Sequence, residues 1–401
     1  MMTVIPLPIL DMNVLQAIRS MPWHLRMPMR AVLLSLSLAS CAGPSPPAIP
    51  PPEPLGPVDL QTAQNPVQDR LLDVGVLVFN APDDGAASAQ LDGRVVTEIA
   101  EKETHYLPYV LRNTLVESNQ WGAVRVLPQD DPSVDLIVRG TIIQSDGLGL
   151  QLRIQAQDST GREWINQVYY DSSDLEPVRL DEEVAQSPTT FVDPFSDIYR
   201  QIANDLLGRR DAFDAAELEN IKQVSQMRYA AELSPETFSR TLEAGADGLL
   251  RTTSLPARDD PMLQRVATMK LRHHVFIDTV DEYYAALYQE MQPVYALWRS
   301  YSREQIRETE ADQREAARSS RGSTGFTALS QSYNRYKWAK IYQQEFAELA
   351  EGFNNEVAPA ILELNRQVHG LSGTLEEQYV QWRGILREIF ELESGPAPVT
   401  E

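Results

Sequence analysis

A run of prolines divides this chain more firmly than any other feature. Between Pro44 and Pro57, eight of the fourteen residues are proline. Because proline lacks a backbone N–H and its ring clashes with a preceding helical turn, neither a helix nor a central strand can pass through this segment. The composition favours extended polyproline II structure, which rises about 3.1 Å per residue. We therefore expect a short N-terminal part, a proline-rich spacer and a folded remainder.

The N-terminal part has the layout of a secretory signal. Arg26 and Arg30 precede an apolar stretch, residues 31–39, which only two serines interrupt. Such a stretch is typical of a signal peptide, whereas a membrane-spanning helix needs about 20 apolar residues. Cys41 follows directly and is the single cysteine of the 401-residue chain, so no disulfide can form within it.

The tetrapeptide Leu38-Ala39-Ser40-Cys41 resembles the lipobox of bacterial lipoproteins, (Leu/Val/Ile)-(Ala/Ser/Thr/Val/Ile)-(Gly/Ala/Ser)-Cys. The resemblance implies that the Cys41 thiol receives a diacylglycerol, that the signal is cleaved before it, and that the new amine is acylated. Each buried CH₂ contributes about 0.8 kcal/mol, so three acyl chains would hold the protein at a membrane. Residue 42 is Ala rather than the Asp that tends to retain such lipoproteins in the inner membrane. The expected location is therefore the periplasmic face of the outer membrane.

The rest of the chain is predicted to contain two folded domains. The full organisation that we expect is a leader with the signal peptide over residues 1–40, a disordered proline-rich spacer over 41–70, a first domain over 71–210, a second over 211–393, and a disordered tail over 394–401.

The first domain shows strand and helix patterns in a definite order. Apolar runs and period-two alternation predict five strands, and helical spacing predicts two helices. In chain order these are a strand at 73–80, a helix from about 97 to 121, strands at 122–128, 135–145, 150–158 and 163–170, and a helix at 195–208. A strand meander packed by two helices is an α+β arrangement.

Residues 73–208 resemble the TolB N-terminal-domain family of envelope lipoproteins. The resemblance is carried by "DLIVRGTIIQSDGLGLQLRIQAQDSTGREW" (residues 135–164), a glycine-bearing hairpin followed by Asp-x-x-Gly-Arg, and by the closing helix. It implies a periplasmic binding module rather than an enzyme. Members of the family engage protein partners, including secretion machinery and peptidoglycan synthases.

The second domain is predicted to be all-α, a long antiparallel helical hairpin or bundle, with no strand signal over residues 211–393. A helix is expected from Pro261 to about Arg318, a return helix over 328–368 and a last helix over 375–392. Helix starts are marked by Asp260-Pro261, by Ser234-Pro235-Glu236 and by a Thr374/Glu377 capping box. The long helix carries a heptad seam: Ile277, Val280, Tyr284, Leu287, Met291, Val294, Trp298 and Tyr301.

Two aromatic pairs recur as Tyr-x-x-Trp-Arg: Tyr295 with Trp298, and Tyr379 with Trp382. One interpretation is a pair of partner-binding or glycan-binding platforms. The other, which we favour, is core packing, because Trp298 lies in the heptad seam.

Histidine and carboxylate spacing offers one further candidate. His274, Asp278 and Glu282 share a helix face at intervals of four residues, which suits either a metal site or a solvated face of ion pairs. We favour the solvated face and predict neither a metal site nor a cofactor.

The net charge and the absence of catalytic motifs restrict the classes of function open to this chain. The net charge of −22 argues against nucleic-acid binding, which needs basic surfaces. The sequence contains no P-loop, Rossmann, H-E-x-x-H or G-x-S-x-G motif. The leading hypothesis is a non-enzymatic, lipid-anchored envelope lipoprotein that binds or scaffolds an envelope protein of the cell-wall or transport machinery. The alternatives are an enzyme acting on peptidoglycan or another envelope polymer, and a structural protein that self-assembles through its helical arm.

Overall fold

A computed structural model of the protein describes residues 53–81, 93–146, 148–172, 193–257, 259–318, 361–364 and 367–394. The signal peptide, Cys41 and most of the predicted return helix lie outside the described residues. In chain order the elements are β1 (Val74–Leu77), α1 (Gly93–Ser118), β2 (Val124–Leu127), β3 (Leu136–Ser145), β4 (Gly149–Asp158), β5 (Glu163–Ser172), α2 (Ser196–Asp211), α3 (Ala215–Leu233), α4 (Pro235–Phe238), β6 (Leu242–Ala244), β7 (Leu250–Thr252), α5 (Pro261–Arg318), β8 (Ile361–Leu364), β9 (Gln367–Gly370) and α6 (Leu375–Ser394).

The protein is a mixed α/β structure built on a five-stranded sheet in the order β2-β1-β3-β4-β5. β1 runs parallel to both of its neighbours, whereas β3, β4 and β5 form an antiparallel meander. The predicted order of strands and helices from β1 to α2 is confirmed.

Alternation along the meander separates a buried sheet face from a solvated one. In β4, Leu152, Ile154 and Ala156 are fully buried, while Arg153 and Gln155 between them are exposed. This is the pattern of an antiparallel sheet covered on one side.

The ends of two predicted helices match their sequence signals. α5 begins at Pro261, where the Asp260 carboxylate accepts a hydrogen bond from the Met262 backbone N–H at 2.8 Å. α6 begins after Thr374, whose hydroxyl accepts from the Glu377 N–H at 3.3 Å while the Glu377 carboxylate accepts from the Thr374 N–H at 3.0 Å. This reciprocal pair is the predicted capping box.

The prediction that residues 211–393 contain no strands is wrong. β6 and β7 pair antiparallel, and the Leu250 N–H of β7 donates to the Thr160 carbonyl in the β4–β5 turn. Strands of three residues are too short to show alternation, so the sequence carries no signal for them.

The end of the predicted return helix is also wrong. β8 and β9 pair antiparallel, with Ile361 opposite Gly370 and Glu363 opposite Val368. The three-and-four spacing of Ile361, Leu364 and Val368 suggested a helix, but three apolar positions do not distinguish a helix from a hairpin.

The heptad seam of α5 packs within the chain. Each seam residue whose side chain is described is at most 5% exposed. These residues are Ile277, Val280, Tyr284, Leu287, Met291 and Trp298. α5 packs against α1, β2, α3 and α6, so among the described residues a mixed surface of helices and one strand covers this seam.

The expected disordered spacer ends earlier than residue 70. From Leu55 onward the chain is fastened to the sheet and to α2 by hydrogen bonds and by half-buried apolar side chains. We call residues 55–63 the strap; its contacts are given below.

Candidate functional site

The aromatic pairs predicted as candidate platforms lie in the interior. Tyr295, Trp298, Tyr379 and Trp382 are 1%, 5%, 0% and 1% exposed. Their placement agrees with the core-packing interpretation, and the described surface does not offer their rings to a partner.

The first pair surrounds Arg299, the arginine of the Tyr-x-x-Trp-Arg motif, which is 2% exposed. Arg299 Nη2 lies 3.1 Å from Glu103 Oε1 and 2.7 Å from Ser145 Oγ, which joins α5 to α1 and to the end of β3. Its guanidinium carbon lies 4.8 Å from the Trp298 ring centroid and 4.7 Å from that of Phe195. Burial raises the pKa of Glu103, although the charge of Arg299 opposes the shift. Arg299 thus places one cation among groups from three elements, which keeps them in register.

The second pair adjoins a buried acid–histidine–tyrosine cluster. Asp131, in the β2–β3 loop, accepts hydrogen bonds from the Tyr379 hydroxyl and from His273, whose Nε2 lies 2.5 Å from its Oδ2. The Ser133 N–H donates to the other carboxylate oxygen at 2.6 Å. Burial by itself raises the pKa of Asp131. The charge and the hydrogen bond of His273, together with the hydrogen bonds of Ser133 and Tyr379, hold this pKa well below its ordinary value.

Residue types alone would allow acid–base chemistry at this second cluster. However, Asp131 is 3% exposed, and His273 and Tyr379 are 0% exposed. A general base must come within hydrogen-bond reach of its substrate, and these three side chains are closed off from solvent. What the cluster does in this structure is join α5 and α6 to the β2–β3 loop.

A third set of polar contacts covers the β2 edge of the sheet. Asp281 of α5 accepts a hydrogen bond from the Val126 backbone N–H at 2.9 Å and pairs with Arg112 of α1 at 2.6 Å. One turn earlier, Asp278 pairs with Arg125 of β2 at 2.6 Å. An uncovered edge strand presents unpaired backbone groups to other chains, so α5 protects this edge with a carboxylate.

The structure does not bring the His274, Asp278 and Glu282 face together as a metal site. His274 Nε2 lies 3.3 Å from Ser133 Oγ, and Asp278 is engaged by Arg125. Burial lowers the pKa of His274 to about 4, with the charge of Arg125 contributing. Within the described ranges, no group of three His, Cys, Asp or Glu side chains is arranged to hold a metal ion.

An open depression lies where the chain enters β1. It is lined by Val67, Arg70, Gln120 and Arg210, among others. The Arg210 guanidinium is already hydrogen-bonded to the backbone carbonyl of Gln120 and to Asp211 at 3.0 Å. Arg70 likewise donates to the backbone carbonyls of Arg210 and Phe213 at 3.2 Å, so both cations that line this depression are satisfied within the chain.

No model of a known protein family matches the sequence, and a search of curated proteins gives no significant match. Among the helices that the structure describes, none combines the length and the apolar character needed to cross a membrane.

Proposed function

We propose that this protein is a lipid-anchored lipoprotein of the bacterial outer membrane, facing the periplasm, which acts as a non-enzymatic binding or scaffold module for an envelope protein of the cell-wall or transport machinery. The observation that carries the proposal is Leu38-Ala39-Ser40-Cys41 at the end of a basic and apolar leader, followed by the proline-rich run. Acyl chains on Cys41 would supply the membrane attachment.

We further propose that residues 73–208 form a TolB N-terminal-like domain and that the helical region after it is a separate functional addition. The order from β1 to α2 supports this assignment. So does the Asp158 turn of the quoted motif, in which the carboxylate accepts from the Thr160 N–H at 2.9 Å and from the Trp164 indole N–H at 2.8 Å. These bonds give the motif a physical role, since they fix the β4–β5 turn.

The contacts of the buried acid, histidine and tyrosine side chains favour a binding role over catalysis. In the clusters described above they bond to one another across elements and are shielded from solvent. The enzyme alternative requires a solvent-open cleft with paired acids, so it predicts activity on peptidoglycan that is lost when exposed carboxylates are replaced.

Acylation is the step to test. Cells grown with an alkyne-tagged palmitate should label the full-length protein, and Cys41→Ser should abolish the label and release the protein from membranes. Ser45→Ala, four residues later, is the matched control and should keep both. Equal labelling of Cys41→Ser would overturn the proposal.

The choice of membrane has its own test. Ala42→Asp should move the protein from the outer-membrane to the inner-membrane fraction on a density gradient without changing its labelling. An unchanged distribution, with the protein already in the inner membrane, would contradict the outer-membrane assignment.

A further inference from the structure

The strap, residues 55–63, crosses the sheet domain as a structural element. At its start, the Leu55 N–H donates to the Tyr170 carbonyl near the end of β5 at 3.0 Å. At its end, the Ala63 N–H donates to the Ser118 carbonyl, the last residue of α1, at 2.9 Å. The strap thus spans from one edge of the sheet to the end of a helix on its buried face.

Between these points the strap runs along α2. The Val58 N–H donates to the Asp197 carboxylate at 3.2 Å. The Gln61 N–H donates to the Asn204 side-chain carbonyl at 2.9 Å, and the Asn204 amide donates back to the Asp59 carbonyl at 2.9 Å. Asn204 therefore offers the strap both a donor and an acceptor, as a neighbouring β-strand would.

Apolar contacts accompany these hydrogen bonds. Leu55 and Leu60 are half-buried and pack against the core of the sheet domain. Burial of apolar surface stabilises the docked strap, and the two leucines add to the hydrogen bonds given above. The strap belongs to the folded body.

We infer that the strap fixes both the reach and the direction of the membrane tether, an inference that rests on the proposed acylation of Cys41. Leu55 is the fourteenth residue after Cys41, a distance of about 43 Å at the polyproline II rise. Without the strap, the chain as far as Arg70 would reach about 90 Å. With the strap docked, the folded body would begin within about 45 Å of the membrane surface.

The direction follows from where the strap begins. Leu55 lies beside Tyr170, at the end of β5, and the β3–β4 turn lies at this same end because Gly149 pairs with Ser172. The β4–β5 turn lies at the opposite end, about 25 Å away at 3.4 Å per strand residue. The tether therefore leaves from the end that carries the β3–β4 turn, and that end faces the membrane.

Hydrogen exchange of the full acylated protein in lipid nanodiscs tests the docking. Peptides covering the strap should exchange at least ten-fold more slowly than an unstructured chain of the same sequence. Asn204→Ala should remove most of this protection while peptides from β3 and β4 keep theirs. Gln201→Ala is the matched control, because Gln201 lies on the same helix and its side-chain amide donates to Asp205 rather than to the strap. Fast exchange of the strap in the unmodified protein would overturn the inference.

Energy transfer to a headgroup acceptor in the nanodisc tests the direction. Dyes are placed on Gln144→Cys, beside the β3–β4 turn, and on Asp247→Cys, in the β6–β7 turn beside the opposite end; both positions are exposed. The dye at position 144 should transfer more strongly, and Asn204→Ala should reduce the difference. Equal transfer from the two positions, or stronger transfer from 247, would contradict the assigned direction.

The two proposals fail separately. If Cys41→Ser remains membrane-bound and labelled, the proposed function fails, whatever the strap does. Suppose instead that the protein without substitutions at Cys41 or Asn204 is acylated and membrane-bound. If its strap then exchanges freely, or if energy transfer from positions 144 and 247 is equal, only the inference about the strap fails.

Discussion

Asp171 gives the sharpest test of the electrostatics. It lies on β5 opposite Leu150, is 5% exposed, and its carboxylate accepts from the Ser172 N–H at 2.8 Å. Burial raises its pKa to about 6, and the charges of Asp197 and Asp193 add to the shift while the Ser172 bond opposes it. Asp171→Asn removes the ionisable group and keeps both its shape and an oxygen for that bond.

The sign follows from proton binding. An unfolded aspartate ionises near 3.8, whereas Asp171 in the folded protein holds its proton up to about 6. The folded state binds more protons over this window, so its stability falls as pH rises from about 4 to about 6 and stays lower above it. At about 1.4 kcal/mol per pKa unit, the full penalty is about 3 kcal/mol. Water near the end of the sheet screens part of it, which leaves about 1–3 kcal/mol.

Urea unfolding, followed by tryptophan fluorescence from pH 4 to pH 8, measures the effect. Asp171→Asn should raise the free energy of unfolding by about 1–3 kcal/mol at pH 7.5 and leave it nearly unchanged at pH 4. His274, whose stability contribution has the opposite pH slope, is present in both proteins and cancels in the difference. Asp69→Asn removes the same charge from an exposed side chain and controls for net charge. A difference that does not vary with pH would refute the reasoning.

Two further predictions use matched pairs of substitutions. Asp281→Ala should lower the free energy of unfolding by about 2–4 kcal/mol, because it removes the acceptor of a half-buried arginine and of a backbone N–H of β2. Asp130→Ala removes a carboxylate from an exposed pair with Arg139, whose side chains are 60% and 33% exposed, and should cost less than about 1 kcal/mol. Equal losses by urea unfolding would contradict this. Gly140→Ala should destabilise the protein by about 1–3 kcal/mol, since the new Cβ would lie 2.5 Å from the Phe79 ring. Gly208→Ala, at an exposed position of α2 with open space around it, should stabilise the protein by about 0.8 kcal/mol. Thermal melts that reverse this order would refute the packing argument.

Local patterns predicted the elements that are long or capped. The meander was predictable because β3, β4 and β5 each have ten residues, long enough for alternation to stand out. The start of α5 and the start of α6 were predictable because a cap is a local hydrogen bond between residues two or three apart. The short hairpins were not, because β6 and β7 have three residues each.

The partners of the buried polar side chains could not be predicted from the sequence, for a different reason. The seam of α5 identifies a face that must be buried, but a stripe of apolar residues does not specify whether a helix or a sheet edge will bury it. Asp281 beside Val280, and Arg299 beside Trp298, were visible signals, because a charge next to a buried position requires a partner. Their partners, Arg112 and Glu103, are more than 160 residues away in sequence, so only the fold identifies them.

These distant pairs also determine which contacts break first when force is applied to the tether. The strap is fixed to α2 and to the end of α1, and α1 in turn is held to α5 through Glu103 and Arg299. Breaking one member of such a buried pair leaves an uncompensated charge, which costs about 3–5 kcal/mol. Peeling the strap alone breaks hydrogen bonds that are mostly solvent-exposed, each contributing about 0.5–1.5 kcal/mol. Tension on the acylated end should therefore release the strap before it disturbs the junction between the sheet and α5, which lengthens the tether while leaving the body folded.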